Sequence, residues 1–316
     1  MNAPLPEERI DRARATLDAL QDAIEQRVLG QTPVVAQMIL GLLSGGHLLL
    51  ESLPGLGKTL LARVLAHAAG LEFVRIPCTP DLSPTDLAES GWTAAHVVLA
   101  DEIHRAPPKT QAVLLAGMQE HAITVAGQRH PLPEPQTVVA TQVSLDHEQT
   151  HPLTEAQLDR FLFALEVPYP TLDDLARIGL RTTGPVEPLP PAVLDRAALL
   201  ELQGLVRQLV LTPRVADFAA RLTLATHPGH AHACASVARF VRFGASPRAV
   251  QGLLLGGRAH ALRQGRAWVS EDDVRAVAPA VLRHRMALTF EAKLEGITAA
   301  HVLADVLRTL PDRNAP

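Results

Sequence analysis

Five consecutive residues, Gly55-Leu56-Gly57-Lys58-Thr59, combine what a bound phosphate needs: backbone N–H groups free to turn toward it and a positive charge. With Pro54 before them and Leu60 after them they form a glycine-containing loop. In such a loop Pro54, Gly55, Leu56, Gly57, Lys58, Thr59 and Leu60 cradle a triphosphate, Lys58 neutralises its β and γ oxygens, and the Thr59 hydroxyl binds Mg2+. The general pattern has glycine where Ser52 stands, and serine tolerates fewer backbone conformations. Lysine is scarce in this chain, occurring only as Lys58, Lys109 and Lys293 among many arginines, which makes Lys58 more telling. Downstream, the apolar run Val97-Val98-Leu99-Ala100 ends in Asp101-Glu102. Asp101 is placed to hold Mg2+, directly or through water, and Glu102 to polarise an attacking water. Together the loop and the acidic pair point to ATP with Mg2+.

Loops of this kind are held by a strand on one side and a helix on the other. Leu48-Leu49-Leu50-Glu51 supplies the strand, and Leu60, Leu61, Val64 and Leu65 the inner face of the helix. Further short apolar runs at 71–77, 96–100, 137–141 and 161–167, each followed by a turn or helix signal, predict βα units around a buried parallel sheet. Two helices precede them, one carrying Ile10, Leu17, Leu20, Ile24 and Val28 at helical spacing, the other over residues 33–43. Gly184, Pro185, Pro188, Pro190 and Pro191 interrupt regular structure, and beyond them the pattern is helical at 194–209, 214–226, 247–263 and 271–282. The expectation is an α/β phosphate-loop core over residues 1–185 and an all-helical domain over 186–316.

Composition narrows the class. A chain of 316 residues, 47% hydrophobic and 20% charged, is long enough for two cores and is neither disordered nor fibrous. A net charge of −4 gives no basic stripe for nucleic acid, so none is expected as a partner. The most apolar stretch, 38–53, is broken by Gly41, Ser44, Gly45, Gly46 and Glu51, so no membrane span is expected. Two distant cysteines, Cys78 and Cys234, and an N-terminus without an apolar run make the cytoplasm the expected compartment.

The sequence resembles the MoxR family of AAA+ ATPases. The resemblance runs through Val28-Leu29-Gly30-Gln31, Gly46-His47-Leu48-Leu49-Leu50-Glu51, Thr79-Pro80-Asp81-Leu82 and Ala100-Asp101-Glu102-Ile103-His104-Arg105-Ala106-Pro107-Pro108-Lys109-Thr110-Gln111. It continues through Met118-Gln119-Glu120, Glu155-Ala156-Gln157-Leu158-Asp159-Arg160-Phe161 and Gly244-Ala245-Ser246-Pro247-Arg248-Ala249. It implies a ring, usually hexameric, with ATP between subunits, and makes the C-terminal domain a lid. Arg160 matches the arginine finger that reaches the nucleotide of the neighbouring subunit, and Arg248 the lid arginine that touches the nucleotide in cis. The implied activity is ATP hydrolysis coupled to chaperone-like remodelling or activation of a partner, often a protein with a von Willebrand factor A domain.

Two departures from the family pattern and one histidine-rich loop bear on function. The family's Ala-Thr-Gln-Asn reads Ala140-Thr141-Gln142-Val143 here, and valine cannot hold the attacking water as the asparagine does, although Gln142 or His104 could substitute. Only residues 88–95 separate Leu87 from the next strand, so a family hairpin insert is expected to be missing, while Ile123-Thr124-Val125 still reads as a hairpin turning at Ala126-Gly127. His227, His230, His232 and Cys234 have spacings that could serve Zn2+, but the adjacent Gly229 and alanines favour a plain connector, and His284 reads as structural. Two other readings stay open: an ATP-binding ring scaffold that hydrolyses poorly, and a chelatase-type motor subunit.

Overall fold

The computed structural model describes residues 5–125, 127–143, 151–185 and 187–310. In chain order the elements are α1 (Glu7–Glu25), α2 (Thr32–Leu43), β1 (Leu48–Glu51), α3 (Lys58–Ala68), β2 (Phe73–Pro77), α4 (Pro84–Glu89), β3 (Val97–Asp101), α5 (Pro108–Glu120), β4 (Ala122–Val125), β5 (Gln128–Pro131) and β6 (Thr137–Gln142). There follow α6 (Glu155–Leu158), β7 (Phe163–Glu166), α7 (Leu172–Thr182), α8 (Arg196–Gln208), α9 (Pro213–Leu224), α10 (Ala235–Phe240), β8 (Val241–Phe243), α11 (Pro247–Arg263), α12 (Glu271–Leu282), β9 (Ala287–Leu288), α13 (Phe290–Leu294) and α14 (Ala299–Thr309).

Five strands form one sheet in the order β2-β3-β6-β1-β7. β1 and β3 each pair in parallel with β6, and β2 with β3. Leu48, Leu49 and Leu50, Val97 to Ala100, and Val138 to Ala140 are buried, as strands covered on both faces must be. α3 packs on β2 and β3, with Leu61, Val64 and Leu65 buried. Because β1, β3 and β6 are in register, Glu51 lies opposite Gln142 and Ala100 opposite Ala140, so the carboxyl ends of three strands reach one edge together. That edge of a doubly wound sheet is where ligands bind.

The short segment between α4 and β3 holds only a single 3-10 turn, Trp92–Ala94, and no hairpin. Trp92 is fully buried, and a Cβ on Gly117 would come within 2.7 Å of its ring, so this compact crossing needs glycine at position 117. The expected second hairpin is present as β4 and β5, paired antiparallel, with Gly127 at φ +79°.

One compact unit comprises Arg12–Leu153 and Leu165–Gly204, the other the segment ending at Asp11, Thr154–Ala164 and the chain from Leu205 onward. The stretch from Gly184 to Pro191 lies inside the first of these units. Beyond the proline-rich stretch the Val193 and Leu194 N–H groups donate to the Ala68 carbonyl at 2.8 and 3.3 Å, and Gln203 Nε2 donates to the Leu42 carbonyl at 2.7 Å. Prolines mark where regular structure stops, which is not where packing stops.

The second unit is helical, with α11 packed on α9 and α12, and carries one short antiparallel ladder, β8 with β9. Asp273, at the third position of α12, is fully buried. It accepts hydrogen bonds from Arg266 Nη1 at 2.8 Å, His260 Nδ1 at 2.6 Å, and the backbone N–H and hydroxyl of Ser270 at 2.8 Å each. Burial pushes this carboxyl's pKa up, but His260, Arg266 and Ser270 outweigh it and hold it well below the usual carboxylate range.

Candidate functional site

The loop between β1 and α3 turns on glycine. Gly55 and Gly57 have φ of +80° and +77°, and a Cβ at either would meet nothing within 4 Å, so the loop leaves an open cradle in front of the helix start. Gly57 caps α3, whose first residue is Lys58. Ser52, expected to restrict the loop, does not. Its φ is not positive, and its hydroxyl accepts a hydrogen bond from Lys58 Nζ at 2.8 Å while donating to the Leu53 carbonyl at 2.9 Å. Lys58 Nζ also donates to the Leu53 carbonyl, at 3.0 Å. Lys58 is 8% exposed; burial lowers its pKa, opposed by the charges of Asp101 and Glu102. Above the loop opens a cavity of about 380 Å³, walled by Val28, Leu29, Tyr169, Leu175 and Ile178 and floored by Pro54, Gly55, Leu56, Gly57 and Leu60. Its size and apolar walls suit a purine nucleoside.

At the end of β3 the acidic pair is held from three sides. Asp101 Oδ1 accepts from the Thr141 hydroxyl at 2.7 Å, and Oδ2 accepts from Arg75 Nε and Nη2 at 2.9 and 2.6 Å. Glu102 has φ +59° and ψ +51°, one of two non-glycine residues with positive φ among the described residues. A left-handed glutamate costs about 1–3 kcal/mol and persists only where its surroundings hold it. Here its N–H donates to Thr141 Oγ1 at 2.7 Å, and its carboxylate accepts from Arg105 Nη1 at 2.8 Å. The Asp101 carboxylate and Thr59 hydroxyl are hard oxygen donors of the type Mg2+ takes. Cys78, beside this pair, has its thiol pushed up to about 12 by burial and by Asp101 and Glu102, so it stays protonated.

The structure thus brings the loop, Lys58, Asp101 and Glu102 to one sheet edge. Val143 follows directly on β6 and offers no polar atom, while the Gln142 amide donates to Glu51 Oε1. Gln142 is therefore engaged elsewhere rather than standing in for the missing asparagine. Arg160 lies just past α6, and its guanidinium makes no hydrogen bond or ion pair among the described residues. Arg248 instead pairs with Asp159 at 3.2 Å; the same carboxylate accepts from Ser246 Oγ at 2.7 Å and Arg285 Nε at 3.0 Å. His227 Nε2 bonds the Ala245 carbonyl, Cys234 pairs with Ser236, and no group of three metal-ligating side chains exists among the described residues. His284 is structural: Nε2 donates to the Phe161 carbonyl at 3.0 Å, and burial, with Arg285 adding, holds its pKa well below 6.5. Sequence reading did not single out Thr141, Arg75 and Arg105, whose roles arise only from strand register and turn geometry.

Comparison with known proteins matches this architecture. Residues 47–163 fit the "ATPase family associated with various cellular activities (AAA)" and residues 235–306 the AAA lid domain. The chain is 39% identical over 316 residues to Chaperone MoxR1 of Mycobacterium tuberculosis, covering 95% of this chain and 84% of that protein. It is 31% identical to Protein MoxR of Paracoccus denitrificans, covering 92% and 94%. A crystal structure from Cytophaga hutchinsonii, of a protein assigned as an ATPase, superposes with a TM-score of 0.90 at 30% identity over 96% of this chain and 97% of that one. No helix among the described residues is long and apolar enough to cross a membrane. Carrying both the AAA fold with its lid and long relatives named for MoxR, the chain belongs to the MoxR family of AAA+ ATPases.

Proposed function

We propose that this chain binds ATP in the cavity over the Gly55–Gly57 cradle, hydrolyses it with Mg2+, and uses the cycle to remodel or activate a partner protein. The observation that carries this is one sheet edge to which the strand register brings the glycine loop opening α3 at Lys58 and the strand end carrying Asp101 and Glu102. Lys58 exchanges its bonds to Ser52 and Leu53 for the phosphate oxygens; Asp101 and Thr59 hold Mg2+, which would offset the charge of the transferred group. Glu102 accepts the proton of the attacking water once its carboxylate is released from Arg105. Arg160, with a guanidinium committed to nothing nearby, acts on the nucleotide of an adjacent subunit in a ring, most simply a hexamer. Arg248 leaves Asp159 to touch the nucleotide in cis. The name of the M. tuberculosis relative supports a chaperone role, and the partner we favour is a protein with a von Willebrand factor A domain, met in the cytoplasm.

A slower, switch-like cycle is a second reading, favoured by Val143 where a water-holding amide is wanted and by the commitment of Gln142 to Glu51.

Mixing two inactive variants tests the proposal. Arg160→Ala should keep nucleotide affinity and lose turnover by about 10³-fold or more, as a finger supplied in trans can contribute that much. Lys58→Ala should lose nucleotide affinity. In mixed rings some interfaces join an intact loop to an intact finger, so activity should return with a dependence on protein concentration. Mixed rings, verified by native mass spectrometry, that stay inactive would refute the trans role; parental turnover in Arg160→Ala alone would remove the finger altogether.

A further inference from the structure

We propose that Thr141 is the positioning residue that couples the metal carboxylate to the water-activating glutamate, a role that rests on the ATPase reading above. Its hydroxyl hydrogen-bonds to both. Thr141 Oγ1 accepts the Glu102 N–H at 2.7 Å and donates to Asp101 Oδ1 at 2.7 Å. A hydroxyl has one proton, so accepting from a backbone N–H leaves that proton for Asp101 alone, and both directions are thereby fixed. Thr141 is 0% exposed, so no solvent competes for either bond, and its β-branched side chain, on the middle strand of the sheet, has little rotamer freedom.

The two bonds do different things. Through the first, Thr141 supplies an acceptor to the backbone of a glutamate held at φ +59°, a conformation that must be held from outside. Through the second it fixes Oδ1 of Asp101 while Arg75 grips Oδ2. Arg75 is 51% exposed and sits on a long flexible stem, so it can yield its oxygen to a cation. The Thr141 bond comes from the strand interior and has no such freedom. The carboxylate is therefore hinged on its inner oxygen and open on its outer one, the arrangement a metal ligand needs.

The alternative is that Thr141 is a strand residue chosen for its shape. Valine has that shape without the hydroxyl, and serine has the hydroxyl without the methyl, so the pair separates the two roles. Thr141→Val, Thr141→Ser and the parent would be compared by electron paramagnetic resonance of Mn2+ bound with a non-hydrolysable ATP analogue, and by steady-state kcat and KM for ATP. Thr141→Val should weaken Mn2+ binding about tenfold or more, the size expected for losing a bond to a charged group. It should also lower kcat by about 10²-fold and leave affinity for metal-free nucleotide unchanged. Thr141→Ser should recover both within a few fold. Thr141→Ala carries the same expectation as valine, should valine fail to fold. Parental Mn2+ affinity in a folded Thr141→Val or Thr141→Ala, or a serine variant as impaired as they are, would overturn the proposal. A parent protein in which Glu102→Gln has no effect on turnover would instead overturn the ATPase reading, and the Mn2+ titration would still judge Thr141.

Discussion

Asp101 and Asp273 are both aspartates gripped by arginine, yet one is built to be displaced and the other to stay. Asp273 is sealed from solvent, with Arg266, His260 and Ser270 donating to it, and it closes the first turn of α12. Asp101 stands at a strand end with 12% of its side chain exposed and, on its outer oxygen, one solvent-facing arginine. The difference teaches that a paired carboxylate is read by what its partner can do next. A partner locked in the fold makes a structural node; a partner with an exit leaves room for a cation.

The largest effects should separate the two. Glu102→Gln, next to Asp101, keeps shape and nucleotide contacts but cannot accept a proton, so turnover should fall about 10²- to 10⁴-fold with melting temperature and ATP affinity unchanged. Undiminished turnover would move the water-activating role away from this strand end. Asp273→Asn should do the opposite. Leaving Arg266 and His260 facing a neutral amide should cost about 3–5 kcal/mol of stability in urea titrations, with no change in nucleotide affinity. If nucleotide affinity fell while stability held, Asp273 would not be the structural member of the pair.

A smaller effect follows from His47, buried, whose Nε2 donates to the Met118 carbonyl and whose Nδ1 accepts from the Val138 N–H. Burial lowers its pKa to about 4 from 6.5. Between these values the unfolded chain binds a proton that the folded one refuses, so stability is lost as pH falls from 6.5 toward 4, by about 3 kcal/mol from this group. His284 acts with the same sign. His47→Gln should flatten the stability profile in that window; an unchanged slope would mean that His47 is already protonated in the fold. Smallest, Val143→Asn should raise kcat of the order of tenfold with little change in KM, because a water-holding amide serves chiefly the transition state. No gain would show that another group already holds the water.

Much of this was legible in the sequence. The strands at 48–51, 97–101 and 137–142 were visible because parallel strands bury both faces, and Lys58, Asp101 and Glu102 because loop and strand-end chemistry is local. Thr141 was not, since it meets Asp101 only through the β3–β6 register, which places Ala140 against Ala100 and has no signature in spacing. Nor was α7, which buries none of its residues and lies between prolines and glycines that suggest an irregular stretch. The helix read at 194–209 is present as α8, but the bonds from the Val193 and Leu194 N–H groups just before it to the Ala68 carbonyl join segments far apart in sequence and leave no signature in spacing.

The bond between Lys58 and Ser52 decides where the ammonium rests. An ammonium so near two carboxylates would be drawn across the site to neutralise them, closing the place a cation must enter. The serine hydroxyl and the Leu53 carbonyl give it a parking place on its own side instead. Since these are neutral dipoles, a phosphate in the proposed site would replace them without a charge having to be left bare, and much of the lysine's water has already been shed in folding. The residue that departs from the usual glycine thus gives the ammonium a neutral partner within the loop itself.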